Sequence, residues 1–222
     1  MNTTPTRKKK VVRAAILAAA LAGSVAACTN VTPGTVVMAD LGPCAHVGAP
    51  MVNVPTSGAE PQMRIPEPAG WARSAEVESV DGTIRFAIAN SGNGPIHHAT
   101  AVMVERVPDA EPQTIFDDFE AHLTQMLGEE GMPTDLTTTA GTVCGLPSTT
   151  ITYGAPVASL GTTLDELPAE QATNVLVVTE SGGDTYLVAV VQTTVSGDAK
   201  YQRDAETILT GLEVLPQTET AA

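Results

Sequence analysis

The side chains with chemistry to offer are four histidines, three cysteines and a run of carboxylates. Spacing decides what each can do. His97 and His98 are adjacent where the chain reads as entering a strand. Neighbours on a strand point to opposite faces, so this pair does not chelate one ion. His122 follows Asp118 by one helical turn; two ligands on one face, without a third, make a weak metal site and an ordinary solvated helix face. Asp117, Asp118 and Glu120 have the makings of an acid–base pair. They also crowd the start of a predicted helix, where acids complement the helix dipole, and that plainer reading is preferred. No Gly-x-Ser-x-Gly presents a hydrolase nucleophile, and no Cys-x-x-Cys presents a redox motif. Gly92-Asn93-Gly94-Pro95 lacks the following helix that phosphate binding needs. The expectation is no catalytic residue, no cofactor, no metal and no covalent chemistry. This does not read as an enzyme.

One cysteine does carry chemistry. Arg7, Lys8, Lys9, Lys10 and Arg13 precede a short apolar stretch from Ala14 to Val25, which ends in Val25-Ala26-Ala27-Cys28. The stretch is too short and alanine-rich to span a bilayer, so residues 1–27 read as an export signal. Small residues abutting a cysteine match the lipobox of bacterial lipoproteins, whose thiol takes a diacylglycerol and becomes the first mature residue. Cys28 is the expected lipid attachment point, and the protein is expected on the extracytoplasmic face of the cell membrane. Two acyl chains suffice for durable attachment.

Cleavage there removes five of the eleven cations and none of the acids, leaving six Lys and Arg against 25 Asp and Glu, a formal charge of −19. That excludes nucleic acid as a partner and any basic patch for anionic lipid. The six remaining cations, Arg64, Arg73, Arg85, Arg106, Lys200 and Arg203, are scattered in sequence. Cys44 and Cys144 form an even pair in an exported chain, best read as a disulfide, with two free thiols as the alternative.

These residues must be held by some scaffold. Residues 28–60 are rich in Pro, Gly, Thr, Val and Ala without a sustained period and read as the lipidated N-terminus and tether; residues 217–222 read as a disordered tail. Between them, 61–216 reads as a single α+β domain. Strands are expected at Gln62–Ile65, Thr83–Ala89, Ala99–Val107, Thr137–Val143 and Ser148–Tyr153, the last two around a Gly145-Leu146-Pro147 turn. Thr173–Glu180 and Asp184–Thr194 are apolar on nearly every residue, as central strands covered on both faces would be, and Ser181-Gly182-Gly183 joins them as a hairpin. A helix is expected over Thr114–Leu127, capped by Thr114 and ended by Gly128, with Ile115, Phe116, Phe119, Leu123, Met126 and Leu127 on its apolar face. Asp198 caps a second helix, and Val214-Leu215 adds an edge strand. Trp71, the single tryptophan, reads as a core anchor rather than a sugar-stacking platform.

Three segments in this order carry a resemblance. Pro68-Ala69-Gly70-Trp71 resembles the P-x-G-W near the start of LpqN/LpqT-type mycobacterial (actinobacterial) lipoproteins, and Gly145-Leu146-Pro147-Ser148 through Tyr153 is similar to their G-F-P-S segment entering a strand. Asn174–Val178, Tyr186–Val190 and the closing helix resemble their C-terminal hairpin and helix. The resemblance covers most of 28–215. It departs from the family pattern in the short tether and in the Cys44/Cys144 pair. It implies a PsbP-like α/β/α sandwich, mostly antiparallel, with helices flanking the sheet. It implies no catalytic residues, and a role in the envelope beside lipid handling or transport.

Two functional readings follow. One is an accessory module for acyl lipids or envelope transport proteins, with an apolar pocket between sheet and helix lined by Phe116, Phe119 and Leu123. The other is a surface module whose acidic face contacts envelope or host protein and needs no pocket. The meagre aromatic content, 3%, weighs against a large hydrophobic cavity.

Overall fold

The computed structural model describes residues 44–78, 84–90, 98–129, 136–155, 170–195 and 198–217. Its strands are β1 (Met51–Val54), β2 (Gln62–Pro66), β3 (Ala72–Arg73), β4 (Ile84–Asn90), β5 (His98–Val107), β6 (Thr137–Val143), β7 (Leu146–Ala155), β8 (Glu170–Ser181), β9 (Asp184–Val195) and β10 (Glu213–Leu215). Its helices are the single turn α1 (Ala75–Glu78), α2 (Pro112–Glu129) and α3 (Ala199–Thr210). Seven strands form one antiparallel sheet in the order β3-β4-β5-β9-β8-β7-β6, and β1-β2-β10 form a small second sheet.

The unbroken apolar runs of β8 and β9 explain the layering. Alternate residues of a strand face opposite ways. Val175, Val177, Val188 and Val190 join one core with Phe86, Ile88, Val102 and Val104, roofed by Ile208 and Leu212 and by Val54, Met63, Ile65 and Val214 of the small sheet. Leu176, Val178, Leu187 and Ala189 join a second core on the other face, roofed by Ile115, Phe116, Leu123 and Leu127 of α2. Each fully buried side chain of this kind stabilises by about 1.5–3 kcal/mol. The result is the expected mostly antiparallel α+β sandwich, with α3 and α2 on opposite faces of one sheet.

Turn chemistry sets the hairpins. Gly182 and Gly183 both take positive φ, +56° and +84°, as a two-residue turn matched to strand twist demands. The β6–β7 turn was expected at Gly145-Leu146-Pro147 but is Cys144-Gly145, with φ of +52° and +80°. Leu146 pairs with Val143, and Pro147 lies within β7 opposite Thr142. Pairing of β7 with β8 starts one residue later, at Ser148, so the missing N–H of Pro147 interrupts no ladder.

Three boundaries differ from expectation. Helix α2 starts at Pro112, not after Thr114: proline suits a first helical position because the absent N–H has no partner there anyway. Glu111 carbonyl oxygen accepts from the Thr114 and Ile115 amides at 2.9 and 3.3 Å. The helix also runs through Gly128 to Glu129, so Asp117 and Asp118 lie beyond the first turn. The folded part begins before Pro61. Cys44 is buried, and β1 pairs with β2 from Met51↔Pro66 to Val54↔Met63, inside the stretch expected to be tether. By contrast, α3 begins where expected, with the Asp198 carboxylate accepting from the Lys200 and Tyr201 amides at 3.0 and 3.3 Å. Residues 1–43 and 218–222 lie outside the described residues, and with them the expected signal, Cys28 and most of the expected tail.

Candidate functional site

Helix α2 was expected to roof a pocket; it sits directly on the sheet. Phe116 and Leu123 are buried, Leu123 completely, and half-buried Phe119 packs beside them. They meet Ile151, Tyr153, Leu176 and Val178, and the small Ala172 and Ala189 let the helix approach. The three residues expected to line an apolar cavity thus belong to the second core, Phe119 at its margin.

Among the described residues the histidines do not converge. His98 is buried and stacks on Tyr201, ring centroids 3.4 Å apart. The Lys200 ammonium lies 4.9 Å from the centre of the same Tyr201 ring and 2.9 Å from Asp204, which also accepts from the Trp71 indole N–H at 3.0 Å. That cluster joins α3 to the loop before β3, and Trp71 is the anchor expected of it. Burial raises the Asp204 pKa, but hydrogen bonds from Lys200 and Trp71 and the charges of Lys200 and Arg203 outweigh it, for a net lowering. His46 is exposed; His97 lies outside the described residues. His122 is half-buried, and its charge acts on Glu105 of β5, while Asp118 is exposed. Burial raises the Glu105 pKa, and His122 works against that rise. Sequence spacing had no way to find Glu105, because the pairing crosses from helix to sheet. Among the described residues no three His, Cys, Asp or Glu side chains gather as a metal site.

The cysteines do converge. Cys44 and Cys144 are disulfide-bonded, with Cα atoms 4.1 Å apart. The bond ties the start of the domain to the β6–β7 turn, and Cys144 Sγ also lies 3.8 Å from the Leu212 carbonyl.

Every cation beyond residue 27 has an acid beside it. Arg64 pairs with Glu213, Arg73 with Glu78, Arg85 with Glu60, Arg106 with Asp184 and Lys200 with Asp204. Arg203 lies close enough to Asp204 to lower its pKa. The surface is therefore acidic without basic relief. A shallow depression among Arg106, Pro108, Asp109, Glu180 and Asp184 has its one cation already engaged by Asp184. One acid of α2 stands beside β6: Glu120 accepts from the Thr138 hydroxyl at 2.9 Å, and Asp117, one turn earlier on the helix, is exposed. The residues with functional promise are thus the α2 carboxylates and the strand they border.

No protein-family model matches the chain. No curated protein is similar to it in sequence. Its fold is that of LpqN, described as involved in cell envelope biogenesis of Mycobacterium tuberculosis: the TM-score is 0.55 at 12% identity, over 75% of this chain and 91% of that one. Looser similarities are to the yeast Ran-binding protein Mog1p (Saccharomyces cerevisiae; TM-score 0.42, 11% identity, 69% and 90% covered) and to a protein of Bacteroides thetaiotaomicron (0.41, 10%, 72% and 46%). What the LpqN similarity establishes is shared architecture.

Proposed function

We propose that this chain is a lipid-anchored protein of the cell envelope whose domain is a non-enzymatic accessory module, acting by surface contact with envelope proteins such as transport components. The observation that carries the choice of surface over pocket is the packing of Phe116, Phe119 and Leu123 into the core beneath α2. Three further points support it: the Val25-Ala26-Ala27-Cys28 lipobox, the acidic surface, and an architecture shared with a protein of cell envelope biogenesis. No helix among the described residues is long and apolar enough to cross a membrane, so this reading assigns attachment to lipid on Cys28.

The test is fractionation in a bacterial host. The wild-type chain is expected with membranes and Cys28→Ala in the soluble fraction or as uncleaved precursor; processing indifferent to globomycin would defeat the anchor. Native mass spectrometry of protein from its own host addresses the pocket. Co-purifying acyl species would restore the lipid-handling alternative. An esterase and thioesterase screen is expected to show no turnover, and activity abolished by one side-chain truncation would overturn the non-enzymatic reading.

A further inference from the structure

The two edges of the large sheet are treated differently. At one end β3 is two residues long, and its exposed Arg73 is held by Glu78 at 2.8 Å. A short, charged edge offers little to another strand. At the other end β6 runs for seven residues, Thr-Thr-Thr-Ala-Gly-Thr-Val, with Thr137 to Thr142 exposed on both faces. It has no charged residue and no proline, and its register with β7 is unbroken from Thr137↔Thr152 to Val143↔Leu146. Among the described residues, the devices that protect sheet edges from further pairing are absent here.

Backbone geometry says which groups are on offer. In a two-residue hairpin the residues flanking the turn, Val143 and Leu146, form a hydrogen-bonded pair. By alternation Thr138, Ala140 and Thr142 then direct N–H and C=O away from β7. Their side chains share the α2 face of the sheet, where Thr138 is bound to Glu120. An added strand would therefore place alternate side chains beside Glu120, with exposed Asp117 one helical turn along. A second copy of this chain is a poor occupant, since each copy carries the same acidic surplus on the same border.

We infer that β6 is an acceptor edge: an extended segment of an envelope protein, bearing lysine or arginine at alternate positions, adds to it as an eighth strand with its cations against Asp117 and Glu120. This rests on the binding-module reading above and specifies its partner.

The test uses full-length protein in detergent and a short labelled peptide alternating Lys with Val and Thr, with its Glu-for-Lys counterpart as control. Fluorescence anisotropy is expected to show binding of the first peptide only, weakening with salt. Hydrogen exchange by mass spectrometry is expected to slow in the segment containing Thr138, Ala140 and Thr142. Ala140→Pro removes one outward N–H while sparing the β7 ladder, and affinity should fall at least about tenfold. Asp117→Asn with Glu120→Gln leaves the backbone untouched and should weaken binding several-fold and flatten its salt dependence, so the proposal stays testable if the proline variant fails to fold. No binding of the Lys peptide overturns it. So does equal binding by folded Ala140→Pro, protection elsewhere, or self-association through β6 in sedimentation. Fractionation of Cys28→Ala is independent of all these, so failure at the edge and failure of the anchored reading are distinguishable.

Discussion

Glu105 is a carboxylate held partly out of water on the sheet face beneath α2, and its ionisation works against the fold. Burial lifts its pKa above the ordinary 4.5, with His122 opposing the rise. For an acid whose folded pKa is raised, stability present below 4.5 is lost as pH climbs through the folded value. Glu105→Gln should therefore raise Tm by roughly 2 °C at pH 8. The gain should shrink toward zero as pH falls below 4.5. A thermal melt series from pH 4 to 8 checks this, and a Tm that drops at pH 8 would show that the carboxylate is a needed partner. Asp204 has the opposite sign. Its net lowered pKa gives stability that is present above 3.8 and lost on acidification through the folded value.

Among the elements, α2 is the one whose job most needed three dimensions. Its apolar face was legible in the spacing of Ile115, Phe116, Phe119 and Leu123, but a stripe that fills a core and one that lines a pocket have the same period. Leu123, fully buried, decides the matter experimentally. Leu123→Ala should cost about 2–5 kcal/mol by leaving a cavity, whereas a residue lining an existing pocket would cost far less. Chemical denaturation measures it. The double-sided runs of β8 and β9 were readable because burial on both faces leaves no polar alternation to confuse them. β1 was not: Met-Val-Asn-Val is four residues among Pro and Gly, and only its pairing with β2 makes it a strand. The Cys144-Gly145 turn was expected to start one residue too late because left-handed backbone is rare outside glycine, and here it falls on a cysteine.

For the molecule as a whole, the Cys44–Cys144 bond is the longest covalent constraint, closing 100 residues. Chain entropy sets roughly 4–5 kcal/mol as a ceiling, so replacing both cysteines should lower stability by about 2–5 kcal/mol. Position 144 adds a finer expectation. With φ at +52°, glycine there should recover about 1 kcal/mol relative to alanine in the bond-free background, by denaturant titration. The even cysteine count made the pairing legible, while the arrangement of β6, α2 and Glu105 depended on sheet order that no local pattern records. The same bond has a mechanical consequence. Tension arriving from the N-terminal side meets the fold at Cys44 and passes through sulfur into the β6–β7 hairpin, bypassing β1. Once the bond is reduced, that pull falls on the four residue pairs between β1 and β2, which would peel apart one after another. The sulfurs thus spare β1 any load applied through the chain ahead of Cys44.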